Sequence, residues 1–312
     1  MSHALRTRRR QTVLAGMLLV LLAGLGPSAR AQQAVNSATG VTLFPVGSVV
    51  RTHAITRSLS APGAGRSVNA VLLPVSLNYG ATTNLTLAAN VPFVRKELDA
   101  STPAGPLNQA TSGVGDIRLL GKYRFLRLDG YLKTLQLAVL GGVKLPTGAT
   151  DARLPNGDFL PMPLQVGSGS TDGIAALSGT GIWDWRVAHA SLLYRRNAEG
   201  TRGYRFGDLI NYNLATNFRV WTNPYPGPEL YLGAELNGEI RARDERNGAD
   251  LANTGGHRLF LSPSVVFFAF RNLTLEGSVQ VPIYQDLNGT QLEDGVRYVF
   301  GFRFQYGLYL GN

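Results

Sequence analysis

Glu229-Leu-Tyr-Leu-Gly-Ala-Glu-Leu-Asn-Gly-Glu-Ile-Arg241 alternates side chains of opposite character along most of its length. Leu230, Leu232, Ala234, Leu236 and Ile240 fall on one parity, against Glu229, Glu235, Asn237, Glu239 and Arg241 on the other. Period-two alternation predicts a strand with one face in an apolar medium and the other in a wet one. The pattern repeats in both directions. In 134–146, Leu135, Leu137, Val139, Val143 and Leu145 oppose Gln136 and Lys144. In 272–284, Leu273, Leu275, Val279, Val281 and Ile283 oppose Thr274, Glu276, Ser278 and Gln280. Near the end, Tyr298, Phe300, Phe302, Phe304 and Tyr306 oppose Arg297, Arg303 and Gln305.

Twelve segments of this kind are expected: 48–57, 67–79, 84–95, 115–125, 134–146, 172–182, 186–197, 205–219, 229–241, 257–269, 272–284 and 294–308. A soluble sandwich would alternate in the same way, so the connections decide. Those at 80–83, 126–133, 183–185, 220–228 and 270–271 are mostly tight, whereas 96–114, 147–171 and 242–256 are long and rich in Gly, Pro, Asn, Asp and Ser. Short and long connections that take turns put like strand ends on one side of a barrier. The expected fold is all-β: an antiparallel up-and-down transmembrane β-barrel of about 12 strands, with both termini periplasmic and the long loops outside. Tyr79, Tyr123, Phe125, Trp183, Trp185, Tyr194, Phe218 and Trp221 fall near strand ends, where lipid headgroups would sit.

The first residues agree. Arg6, Arg8, Arg9 and Arg10 precede an apolar run from Val13 to Gly26, and Ala29-Arg30-Ala31 has the form of a cleavage site. Residues 1–31 are therefore expected to be a cleaved secretory signal, 32–47 a periplasmic segment and 48–312 the barrel, in the outer membrane of a Gram-negative cell. The leader carries five arginines and no acid, so the net charge of +10 for the whole chain falls to about +5 after cleavage. That weakens a nucleic-acid reading, which no motif supports. The chain has no cysteine, which excludes disulfides and thiolate chemistry.

By parity the lumen-facing candidates are Arg118, Lys122, Arg124, Gln136, Lys144, Asn211, Asn213, Asn217, Arg219, Glu229, Glu235, Glu239, Arg241, Arg258, Glu276, Gln280, Arg297 and Arg303. They can form a charged solute path or a network of paired charges that fills a narrow interior. Loops 96–114 and 147–171 are candidate gates. The second is unusually apolar through Leu154, Phe159, Leu160, Met162 and Leu164, and is expected to fold into the mouth or to make first contact with an apolar solute. Asp116 and Asp208 follow glycines near strand ends and read as turn formers before cation ligands. Gly113, Gly115, Gly167 and Gly169 read as bulges or bends, because no helix or Gly-Lys-Ser/Thr follows.

A catalytic reading finds little. His53, His189 and His257 are the imidazoles beyond the leader, no serine lies in a Gly-x-Ser-x-Gly elbow, and His189 shares a face with Ser191 only as strand neighbours do. No catalytic residue, metal site or cofactor is assigned. The expected partners are outer-membrane lipid, a small solute and the barrel-assembly machinery, with no nucleic acid. A surface barrel with a filled lumen, structural or adhesive, is the alternative, and an embedded hydrolase a more distant one.

Gly113-Val-Gly-Asp-Ile-Arg-Leu-Leu-Gly-Lys-Tyr-Arg-Phe125, Lys144-Leu-Pro-Thr-Gly148, Val166-Gly-Ser-Gly-Ser-Thr-Asp172, Phe206-Gly-Asp208, Leu261-Ser-Pro263 and Val281-Pro-Ile-Tyr-Gln-Asp-Leu-Asn-Gly-Thr290 occur in that order. Together with Tyr79-Gly80, Leu85-Thr-Leu87 and Val91-Pro-Phe93, the series resembles the outer-membrane "transporter" family named for the MetA-pathway of phenol degradation. The resemblance implies an outer-membrane barrel concerned with passage of small, often aromatic or apolar compounds. One feature departs from barrel habit: the chain ends Tyr309-Leu-Gly-Asn312 and not on an aromatic residue, so Tyr306, Leu308 and Leu310 would have to supply the assembly signal.

Overall fold

The computed structural model describes residues 34–61, 65–102, 105–223 and 227–306. Residues 1–33, 62–64, 103–104, 224–226 and 307–312, with the expected leader and Leu308 and Leu310, lie outside them. The described residues form a closed antiparallel wall of twelve strands: β1 (Ser48–Ser60), β2 (Arg66–Gly80), β3 (Leu85–Thr102), β4 (Arg118–Gly130), β5 (Lys133–Lys144), β6 (Asp172–Trp183), β7 (Arg186–Arg196), β8 (Leu209–Thr222), β9 (Glu229–Arg241), β10 (Gly256–Phe268), β11 (Leu273–Leu287) and β12 (Arg297–Tyr306). Each strand pairs with its chain neighbours, and β1 pairs with β12 from Ser48↔Tyr306 to Thr56↔Tyr298, which closes the wall so that none of the twelve is an edge. No helix of the described residues is long and apolar enough to cross a membrane.

Burial follows parity in the sense a barrel in lipid demands. On β9 Glu235 is 1% exposed, while on β12 Phe300 is 65% exposed. Apolar side chains therefore face outward and charged ones inward, the reverse of a soluble sandwich. Tyr79, Tyr123, Phe125, Trp183, Trp221, Phe270 and Tyr306 are exposed around the short-turn rim as an aromatic girdle. Phe125 joins that girdle through a bulge, since the ladder to β5 passes from Arg124 to Leu126.

Two expectations are corrected. The segment 96–114 is not an open loop: β3 continues to Thr102, and Gly105–Val114 returns beside it from Phe93↔Val114 to Thr102↔Gly105. Apolar and polar residues do not alternate along its length, and Pro, Gly and Ser interrupt it, so it reads as a loop in one dimension. The ladder energy of two strands outweighs that local composition. Residues 34–43, part of the segment expected to be periplasmic, run within the barrel, and 44–47 lie at its rim beside Gly80. Their small polar run Val35-Asn-Ser-Ala-Thr-Gly-Val-Thr42 forms no ladder, so its backbone groups must find partners elsewhere, and the inner wall supplies them.

Candidate functional site

Two layers divide the lumen. Toward the short-turn end, the Glu235 carboxylate accepts hydrogen bonds from the Val35 amide at 2.8 Å, the Asn36 amide at 3.1 Å and the Ser37 hydroxyl at 2.6 Å. Val35 packs in an apolar socket of Tyr231, Val266, Phe268 and Val299. Farther along, Gly40 donates to Thr180 Oγ1 at 3.0 Å, Leu43 donates to Thr86 Oγ1 at 2.9 Å, and Lys122 donates to the Val41 carbonyl at 3.2 Å. Arg51 holds the Ala34 carbonyl at 2.8 Å and pairs with Glu276 at 2.8 Å, which also bonds His53 at 2.8 Å. Partners on β1, β3, β4, β6, β9 and β11 surround the segment, so it crosses the interior from wall to wall.

Toward the long-loop end, Lys144 lies 2.9 Å from Asp116 and 2.7 Å from Asp172. Asp116 also accepts the Gly148 amide at 3.0 Å and the Ser168 amide at 3.0 Å, and the Ser168 hydroxyl bonds both Asp116 and Lys144. Burial alone would raise the Asp116 pKa, but the bond from Ser168, the bond and charge of Lys144 and the Gly148 amide hold it lowered. A second knot centres on Asp294, whose carboxylate meets Arg57 at 2.6 Å, Arg258 at 2.9 Å and Arg297 at 2.8 Å. Burial works to raise its pKa, and the bonds and charges of Arg57 and Arg297 prevail, lowering it to about 2.

The apolar loop is fastened to this layer. Leu160 and Met162 are buried, Leu154 and Leu164 half-buried, and Phe159 is exposed between the guanidinium groups of Arg153 and Arg202, 3.9 and 4.3 Å from its ring centre. Gln165 is the hub: its side chain accepts from the Ala152 amide at 3.0 Å and donates to the Ala152 and Leu160 carbonyls at 2.9 and 2.8 Å. Gly148 and Gly167 lie backbone against backbone, an approach a Cβ on either would block. Between loop and wall is a cavity of about 550 Å³, bordered by Val94, Arg118, Lys144, Met162, Arg195 and Phe206 among others.

Of the residues singled out by parity, Arg118, Lys144, Arg241 and Arg258 border that cavity. Arg241 meets Asp244 at 2.7 Å, and Glu239 lies 3.5 Å from Arg258. Lys122, Arg124, Gln136, Glu235, Glu276 and Arg303 belong to the layer of the threaded segment, where Arg124 donates to Gln136 at 3.0 Å. Asn213 bridges Ser191 at 3.1 Å and Asn237 at 3.0 Å. Asn211 and Gln280 are half-buried on the inward parity, and Arg219 is buried near the short-turn rim, 4.0 Å from Asp184. Parity reasoning passed over Arg51, Arg57, Lys96, Asp172, Arg195 and Asp294. The signal for Arg195 was present, since it shares the face of His189 and Ser191. Asp294 carried none, because its parity in 294–308 is that of the outward Tyr298 and Phe300.

His189 bonds Thr180 at 2.9 Å, His257 bonds Tyr212 at 2.7 Å, and Ser191 is held by Asn213. Asp208 is occupied by Tyr194, the Asn197 amide and Arg205.

A family model described as "putative MetA-pathway of phenol degradation" matches residues 71–300. The chain belongs to this family. Among solved structures, the COG4313 outer membrane channel from Pseudomonas putida F1 is 14% identical, with 88% of this chain and all of that one covered and a TM-score of 0.62. That likeness establishes the fold shared with this MetA-pathway member, a barrel of outer-membrane type. The CymD monoaromatic hydrocarbon channel (10% identity, 85% and 89% covered, TM-score 0.42) and the beta domain of the Bordetella autotransporter BrkA (14% identity, 83% and 99% covered, TM-score 0.42) are more distant. No curated protein sequence matches this family member.

Proposed function

We propose that the barrel is an outer-membrane channel for small organic solutes, seated with its short turns toward the periplasm and its long loops outside. The observation that carries this reading is the cavity of about 550 Å³ under the fastened loop, whose lining mixes charged and apolar side chains. It is of a size to hold one small organic molecule. The family description, which concerns phenol degradation, suits solutes with an aromatic body. Loop 147–171 acts as the outer gate and residues 34–43 narrow the inner half of the path.

Planar-bilayer recording tests it. The intact chain is expected to give small stepwise conductance, and removal of residues 34–43 to raise it severalfold. Silence from both forms overturns the channel in favour of a structural barrel with a filled lumen. Liposome swelling unchanged by removal of residues 150–166 overturns the outer gate alone.

A further inference from the structure

The cavity beneath loop 147–171 is unevenly charged. Eight basic and three acidic side chains border it among the described residues. The acids are already engaged. Asp116 and Asp172 share Lys144, and Asp244 is held by Arg241 at 2.7 Å, by the Gly207 amide at 2.8 Å and by the Tyr204 hydroxyl. Arg57 and Arg258 are matched by Asp294. Arg118 and Arg195 feel the charge of Asp172 at longer range, but neither has a carboxylate of the described residues within 4 Å, and the Nε of each is buried with no acceptor among them. Among the described residues Lys96 donates to the carbonyls of Pro163 and Gln165. Guanidinium groups in such a position offer a fork of donors that a carboxylate accepts and a neutral alcohol or hydrocarbon does not. On the same cavity Val94, Met162 and Phe206 present apolar surface.

We propose that this cavity is a recognition site for a small organic acid, with its carboxylate toward Arg118 and Arg195 and its apolar body toward Val94, Met162 and Phe206. As a statement of solute class, it rests on the channel reading. It turns a passage for small organic solutes into one that selects their anionic form. Two of the positions are informative together: Arg118 lies on β4 and Arg195 on β7, so the pair spans β5 and β6 and reads a ligand that enters between them.

Benzoate, benzamide and benzylamine share one ring and differ in head-group charge, so they make the test. Binding is measured by equilibrium dialysis on the full chain in detergent, and ion passage by planar-bilayer recording in potassium chloride. Benzoate is expected to bind saturably, at least tenfold more tightly than benzamide, with benzylamine excluded. Arg118→Gln together with Arg195→Gln is expected to lower benzoate affinity at least tenfold while benzamide binding is unchanged. Should the double variant fail to fold, as read by its heat-dependent shift in gel mobility, Arg195→Gln alone carries the comparison. Equal binding of benzoate and benzamide, or benzoate binding unmoved by the variants, overturns the site. A silent bilayer with benzoate binding intact overturns the channel and leaves the site standing, so the two failures are distinct.

Discussion

The Lys144 ammonium stands between two carboxylates, 2.9 Å from Asp116 and 2.7 Å from Asp172, and all three side chains are buried or nearly so. Because Asp116 also binds Gly148 and Ser168, this triad ties the apolar loop to the end of β5 and β6. A buried ion pair adds little over an apolar replacement, but removal of one partner is costly because it strands the other. Lys144→Met leaves two uncompensated buried carboxylates and is expected to destabilise the barrel by roughly 3–5 kcal/mol. Urea unfolding measures the loss, and limited proteolysis should place the first new cut within 147–171.

The Asp294 knot sets an acid limit. The folded pKa of Asp294 is about 2, below its ordinary value of 3.8, so the unfolded chain takes up a proton first as the pH falls. Its stabilising contribution is therefore complete above about pH 4 and is lost as pH falls toward 2. Asp294→Asn should remove that dependence and leave Arg57, Arg258 and Arg297 crowded together without an anion. Thermal melts at pH 7 and pH 3 are expected to differ less in the variant than in the parent.

Glu235 anchors the threaded segment through the Val35 and Asn36 amides and the Ser37 hydroxyl. Glu235→Ala removes these charge-assisted bonds but spares the socket around Val35. The segment should then fluctuate between bound and released positions. Single-channel traces are expected to show more frequent transitions and a higher mean current than the parent.

Gln165→Ala tests whether the loop is fastened from within. It deletes three hydrogen bonds and leaves the Ala152 amide and the Ala152 and Leu160 carbonyls without that partner. The local opening free energy should fall by about 1–3 kcal/mol. Hydrogen exchange at residues 150–166 reads it, and the wall strands should exchange as before.

The outward face has its own test. Leu214 lies in the middle of β8 and is 58% exposed, a position at which a soluble protein would tolerate a charge almost freely. In lipid the same substitution, Leu214→Arg, is expected to cost about 2–4 kcal/mol near the midplane. Refolding yield into bilayers should drop, while Asn211→Arg, on the lumen parity, should be tolerated better.

Strand count, parity and the inward charges were legible because each depends on a period of two that a single sequence displays. The apolar stripes of β9, β11 and β12 therefore read directly, and so did Glu235, Glu276 and Arg303. Residues whose partners come from distant chain did not. Asp294 is defined by Arg57 across the closing seam, and Val35 by a socket built from β9, β10 and β12. The stretch 105–114 misled because its strand character lies in pairing with β3 and not in its composition. Gly148 and Gly167 were visible as glycines, but their close approach could not be, since it needs both ends of a folded loop.

The segment that crosses the lumen leaves the ribosome before any of the wall that will enclose it. Its anchor Glu235 lies 200 residues farther on from Val35, and Ser278 lies 242 residues on from Asn36. Contacts of such separation form late, since the intervening chain must first be ordered. Ser278 stands on β11, the strand beside β12 and its seam with β1. Placing the segment in the lumen therefore waits on strands far along the chain, and the ordered interior is a late product of folding.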